Sequence, residues 1–127
     1  MSPSSSPPEN TRPRRVILES PYAGHRERNL AYARRCLRDS LRRGEAPIAS
    51  HLLYTQQGVL DDDRSDERLL GIEAGLAWGS VADATVVYAD LGISAGMRRG
   101  IERAATEGRP VEVRMLGGDF DQIGSDC

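Results

Sequence analysis

Four short apolar runs, separated by stretches with helical spacing, limit what this chain can fold into. The runs are RVILES (15–20), PIASHLL (47–53), ATVVYA (84–89) and PVEVRML (110–116). Each is bounded by polar or turn residues and has the length of a strand. ATVVYA is the most strongly β-branched and reads as a central strand buried on both faces. Between the first two runs, Leu30, Ala33, Leu37 and Leu41 share one face of a helix over about Arg26–Arg43, which Gly44 stops. Before the third, Ser65-Asp66-Glu67 supplies an N-cap and an acidic first turn, and Leu69, Ile72, Leu76 and Gly79 trace the inner face. After it, a Gly-Ile-Ser-Ala-Gly loop leads into a third helix, with Met97, Ile101 and Ala104 inward and Gly108 at its end. The resulting order, β-α-β-α-β-α-β, predicts an α/β fold: a three-layer Rossmann-like (flavodoxin-like) open parallel sheet with helices on both faces. Ligands of such sheets sit at the carboxyl ends of the strands, where the strand order reverses. Here the first three strands end in polar residues: Glu19-Ser20, Ser50-His51 and Asp90.

The 127 residues suffice for one domain, expected over 14–117. Residues 1–13 are rich in Ser and Pro and read as a disordered tail, and 118–127 as a polar C-terminal tail. The N-terminus has no apolar core of a secretory signal, and no run of eighteen apolar residues exists to span a membrane. Two cysteines, Cys36 and Cys127, make no disulfide framework, which points to a reducing cytoplasm. All seventeen basic residues are arginine, so lysine chemistry of the Schiff-base or P-loop kind is excluded. Residues 1–44 carry ten Arg against four acids, whereas 45–127 carry seven against fifteen. The basic excess lies along the first helix with almost no aromatics interleaved. That is the pattern of a solvated face, or of one meeting the acidic half of a neighbouring subunit, rather than a nucleic-acid surface.

The richest segment is Tyr88–Ala104, where a strand stops at Asp90 and a glycine loop opens a helix. Gly92 and Gly96 let a ligand approach the backbone, and Ser94 stands where the helix begins. Its free N–H groups suit an anion, although the same residues also make an ordinary capped turn. Asp90 is placed to bind a sugar hydroxyl. In the Ser20-Pro21-Tyr22-Ala23-Gly24 turn, Tyr22 either stacks on a base or packs on the loop. His51, at the end of the second strand, serves as a general base, a ligand hydrogen bond or a structural residue. Glu73 and Glu102 lie within helices, and spacing leaves their direction open. With only His25 beside His51, and no calcium-loop spacing around Asp61-Asp62-Asp63, no metal site is expected, and no cofactor is implied.

Taken in order, several pieces of residues 15–115 resemble the nucleoside 2-deoxyribosyltransferase-like superfamily, in particular a small bacterial and phage branch. They are Ser-Pro-Tyr-Ala-Gly with Asn29 and Tyr32 behind it, Pro-Ile-Ala-Ser-His-Leu-Leu, Arg68 with Gly71-Ile72-Glu73, Trp-Gly-Ser-Val-Ala-Asp-Ala-Thr-Val-Val-Tyr-Ala-Asp, and Gly-Ile-Ser-Ala-Gly-Met before Gly-Arg-Pro-Val. The resemblance implies a protein that binds a nucleoside or nucleotide, acts on the N-glycosidic bond as a deoxyribosyltransferase or nucleotide N-glycosidase, and forms dimers or larger homo-oligomers. In that family a helical glutamate attacks the anomeric carbon, and a serine with main-chain amides holds a 5′-phosphate. Carried over, this assigns catalysis to Glu102 and Asp90, and ligand binding to Tyr22, Gly24, His51, Gly92, Ser94, Gly96 and Met97. The chain departs from the family's Gly-x-x-x-Glu-Leu-Gly: the residue four after Gly92 is Gly96, and the nearest helical carboxylate is Glu102. Two other readings follow from that departure. One is a non-catalytic nucleotide sensor, since Gly92–Met97 also resembles the Gly-x-x-x-Gly-Met turns of such proteins. The other is an accessory protein whose loop is only a turn.

Overall fold

The computed structural model describes residues 12–118 of the 127. The expected tails, 1–13 and 118–127, fall almost wholly outside that range, as does Cys127. The elements run β1 (Arg15–Glu19), α1 (Arg26–Arg42), β2 (Ala46–Ile48), α2 (Ser50–Leu53), α3 (Ser65–Gly79), β3 (Ala84–Tyr88), α4 (Ala95–Thr106) and β4 (Val111–Arg114).

All strands are parallel, in the order β2-β1-β3-β4. Ile17 pairs with Ile48 on one side and Thr85 on the other, and Thr85 pairs with Val111. The chain moves outward from β1 to β2, then returns past β1 to β3, so the order reverses between β1 and β3. Right-handed crossovers put α1 on one face and α3 with α4 on the other. The three-layer flavodoxin-like arrangement expected from the alternation is what forms.

Side chains alternate across each strand, which divides the residues of β1 and β3 between two environments. Val16, Leu18, Ala84, Val86 and Tyr88 pack with Tyr32 and Cys36 of α1 into the main core. Ile17, Glu19, Thr85 and Val87 face the α3–α4 layer. All five residues of β3 are buried, as its β-branched composition predicts.

Several details differ from the sequence expectation. The second strand stops at Ile48, where pairing with β1 ends, and residues 50–53 form the helical turn α2. There Leu53 N–H donates to the Ala49 carbonyl, and the Thr55 hydroxyl to that of His51. His51 therefore sits on a helical turn, not at a strand end. The third and fourth strands are also shorter than expected, β3 ending at Tyr88 and β4 at Arg114. The inner face of α1 is Asn29, Tyr32, Ala33, Cys36 and Ser40, and Leu41 is 56% exposed. Polar residues can face inward there because they are bonded: Asn29 donates to the carbonyls of Tyr22 and Ala23, and Ser40 to Glu45. On α3 only Gly79 is buried, while Leu69 and Ile72 are 54% and 37% exposed. In α4, Met97 and Ala104 are buried as expected, with Gly100 between them.

Candidate functional site

A cleft of about 880 Å³ opens at the carboxyl end of β1, between the β1–α1 loop, the start of α4 that follows β3, and helices α2, α3 and α4. This is the position where the strand order reverses, the usual ligand site of an open parallel sheet.

Glu19, the last residue of β1, points from the strand onto α4. Helix α4 meets it with Gly100, and a Cβ at that position would fall on the Glu19 carboxylate. Glu19 lines the cleft and has no hydrogen bond or ion pair among the described residues. Burial pushes its pKa up to about 7, while the charges of Arg109 and Arg99 pull it back only in part. A carboxyl poised between its two protonation states at neutral pH is suited to acid, base or nucleophilic work.

Of the two cations, Arg109 acts more strongly on this carboxylate. Its guanidinium donates to Thr85 Oγ1 at 3.0 Å and to the Gly79 carbonyl at 2.6 Å, and it pairs with Glu107 at 2.6 Å. A Cβ on Gly79 would stand 3.1 Å from its nitrogens, so that glycine makes room for the cation. Arg68 and Arg99, on the walls formed by α3 and α4, carry no ion pair among the described residues.

Next along the chain, Ser20 is buried with its Oγ 2.6 Å from His51 Nε2. Burial lowers the His51 pKa to about 4, so the ring is neutral at physiological pH. On the opposite wall, α4 begins in a capping box: Met97 N–H donates to Ser94 Oγ at 3.2 Å, and Ser94 N–H to Met97 Sδ at 3.3 Å. The N–H groups of Ala95 and Gly96 in the first turn have no partner within the helix, and both residues line the cleft. Tyr22 also lines it, with the Arg26 guanidinium 5.2 Å from its ring centroid. Arg26 in turn pairs with Asp63 at 2.7 Å, tying the β1–α1 loop to the loop before α3.

Of the residues singled out in the sequence, Tyr22, His51, Ser94, Gly96, Met97 and Glu102 come together on the cleft. Glu102 is an exposed residue on the α4 wall. Gly24, Asp90 and Gly92 do not line it. Gly24 and Gly92 have φ of 92° and 91° and serve as turn residues. Asp90 is taken up by the fold: its carboxylate accepts from Tyr32 OH at 2.6 Å and from the N–H groups of Leu116 and Gly117, each at 2.9 Å. Burial opposes the Asp90 charge, but these bonds outweigh it and hold the pKa below the usual carboxylate range. Glu73 is exposed and away from the cleft.

A family model for a domain of unknown function, DUF7768, matches residues 14–114, spanning β1 to β4 and every wall of the cleft. The chain belongs to the DUF7768 family. No curated protein matches it. Within this DUF7768 domain, sequence reading passed over Glu19, Gly100 and Arg109. The available signals were an acid ending a central apolar strand and a glycine in mid-helix, where its helix propensity costs about 1 kcal/mol relative to alanine.

Proposed function

We propose that the cleft binds a nucleoside or nucleotide and acts on its N-glycosidic bond, with Glu19 as the reacting carboxylate in place of Glu102. The observation that carries this reading is the unpartnered Glu19 carboxyl, set against Gly100 in a cleft at the strand reversal. An oxocarbenium-like centre is stabilised best by a carboxylate that is desolvated and not neutralised by a neighbour. Around it, Ser94, the Ala95 and Gly96 N–H groups and Arg99 suit a 5′-phosphate. Tyr22 offers a ring for stacking on the base. In the proposed step a Glu19 oxygen bonds to the anomeric carbon as the C–N bond breaks. The bonding pair leaves with the base nitrogen, which takes a proton from water, and water or a second base then attacks the anomeric carbon, breaking its bond to Glu19 and freeing the carboxylate.

A second reading is nucleotide binding without turnover. It is favoured by Asp90's engagement with the backbone, which removes from the cleft one of the two acids expected to act in catalysis. Chromatography of nucleosides and 5′-monophosphates incubated with the protein, with and without a second free base, separates the two. Released or exchanged base that disappears in Glu19→Gln supports glycosidic chemistry. Binding with no product supports the sensor.

We further propose that the chain self-associates through the outer side of α3 and the adjoining hollow of about 490 Å³ bordered by Leu41, Pro47, Ile48, Trp78 and Val81. A helix apolar on several sides with a single buried residue calls for cover. Sedimentation equilibrium should give a dimer or larger species for the native chain and a monomer for Trp78→Glu. Among the described residues no helix is long and apolar enough to cross a membrane. With its one described cysteine, Cys36, a free thiol, the cytoplasm is the compartment proposed.

A further inference from the structure

The Ser20–His51 contact fixes more than the position of a ring. The Ser20 hydroxyl is buried, and its one hydrogen-bond partner among the described residues is His51 Nε2, at 2.6 Å. A buried hydroxyl donates its hydrogen bond to the acceptor within reach, which here is the Nε2 lone pair. A neutral imidazole that accepts at Nε2 carries its own proton on Nδ1. Nδ1 has no hydrogen-bond partner among the described residues. Since none of their buried side-chain nitrogens or oxygens lacks a partner, Nδ1 is not sealed in the protein, and His51 is one of the residues that line the cleft.

We propose that Ser20 locks His51 as the Nδ1–H tautomer, and that this N–H is a donor selecting a ligand whose base presents a carbonyl oxygen or unprotonated ring nitrogen. Ser20 is then a positioning residue and His51 a specificity-determining one. The ligand half rests on the nucleotide reading above, whereas the tautomer half does not. Glu19 and Arg109 supply charge on the same side of the sheet; His51 supplies a neutral directional contact that neither can. A neutral donor recognises an acceptor without demanding charge on it, as a nucleobase edge requires.

Nitrogen-15 chemical shifts of the full-length chain labelled in histidine read the tautomer directly, with the exposed His25 as an internal reference. At pH 7 His51 should show a protonated Nδ1 and an unprotonated Nε2, and Ser20→Ala should move it toward the Nε2–H form. A wild-type His51 protonated at Nε2 overturns the proposal without any variant having to fold. Calorimetry with guanosine 5′-monophosphate tests the ligand half. His51→Ala should weaken binding about fivefold to tenfold, the worth of one neutral hydrogen bond. His51→Asn, whose side-chain N–H stands near the Nδ1 position, should restore most of it. Ribose 5-phosphate, which has no base, should bind the wild type and His51→Ala alike. Undiminished nucleotide binding by His51→Ala overturns the role given to His51 alone. No nucleotide binding by the wild type overturns the ligand assignment together with the nucleotide reading, leaving the tautomer to stand or fall on the shifts.

Discussion

Replacing Glu19 with glutamine should make the protein more stable at pH 8, and the site sets the size of the gain. Burial raises the carboxyl pKa from 4.5 to about 7, with Arg109 and Arg99 recovering only part of the lost solvation. The folded state therefore holds this proton more tightly than the unfolded chain does. Its contribution to stability is complete below pH 4.5, declines as the pH rises, and is gone above about pH 7. At about 1.4 kcal/mol for each pH unit between those two values, the loss comes to about 3 kcal/mol. Glutamine has nearly the same shape and no charge, but its amide also lacks a partner, at a cost of about 1 kcal/mol. The net gain at pH 8 is about 2 kcal/mol, or about 8 °C in melting temperature for a domain of this size. At pH 4 the gain should vanish and reverse slightly. Urea unfolding of both proteins at pH 4, 6 and 8 reads the difference. A glutamine variant less stable than the wild type at pH 8, or a gap that does not change with pH, would show that Glu19 is solvated in the folded protein and would refute the reasoning.

Asp90→Asn should lower stability by about 2 kcal/mol, because an amide cannot accept all the bonds that the carboxylate takes from Tyr32, Leu116 and Gly117. Ligand affinity per folded molecule, measured by calorimetry, should stay at the wild-type level. Gly100→Ala should cost about 2 kcal/mol through collision with the Glu19 carboxylate, and most of that cost should disappear in a Glu19→Ala background. A double-mutant cycle in urea measures the coupling. Glu45→Gln should cost about 3 kcal/mol by unbalancing the buried pair with Arg114, whose N–O distance is 2.6 Å. The hydrogen bond from Arg114, with smaller help from Ser40, outweighs burial and lowers the Glu45 pKa. This contribution is therefore present above about pH 4.5 and lost on acidification, the opposite trend to that of Glu19. Acid titration of circular dichroism should show the Glu45→Gln penalty shrinking below that pH.

How much of the fold could be read from the sequence depended on whether local composition matched the final environment. TVVY is β-branched because β3 is buried on both faces, so chemistry and position agree. The four-strand alternation and the cap at Ser94 were legible for the same reason. The inner face of α1 was not, because Asn29 and Ser40 point inward on the strength of hydrogen bonds to the loops that flank the helix, and no periodicity records such bonds. Helix α2 was hidden because Leu52 and Leu53 extend an apolar run whose strand pairing stops at Ile48. In the site, Ser94, Gly96 and Tyr22 were found from loop chemistry. Asp90 was equally conspicuous, yet its partners at residues 116 and 117 could not be seen from spacing. Glu19 reads as the polar end of a strand; its significance depends on Gly100, 81 residues later in the chain, leaving room for it.

The most direct test of the central claim is the pH dependence of base release from a 5′-monophosphate between pH 5 and 9, for the wild type, Glu19→Gln and Glu102→Gln. Glu19 reacting as a carboxylate predicts a rate that rises through about pH 7 to a plateau, little changed in Glu102→Gln and absent in Glu19→Gln. Base release that persists in Glu19→Gln with the same profile would contradict the account and return the search for the reacting group to α4.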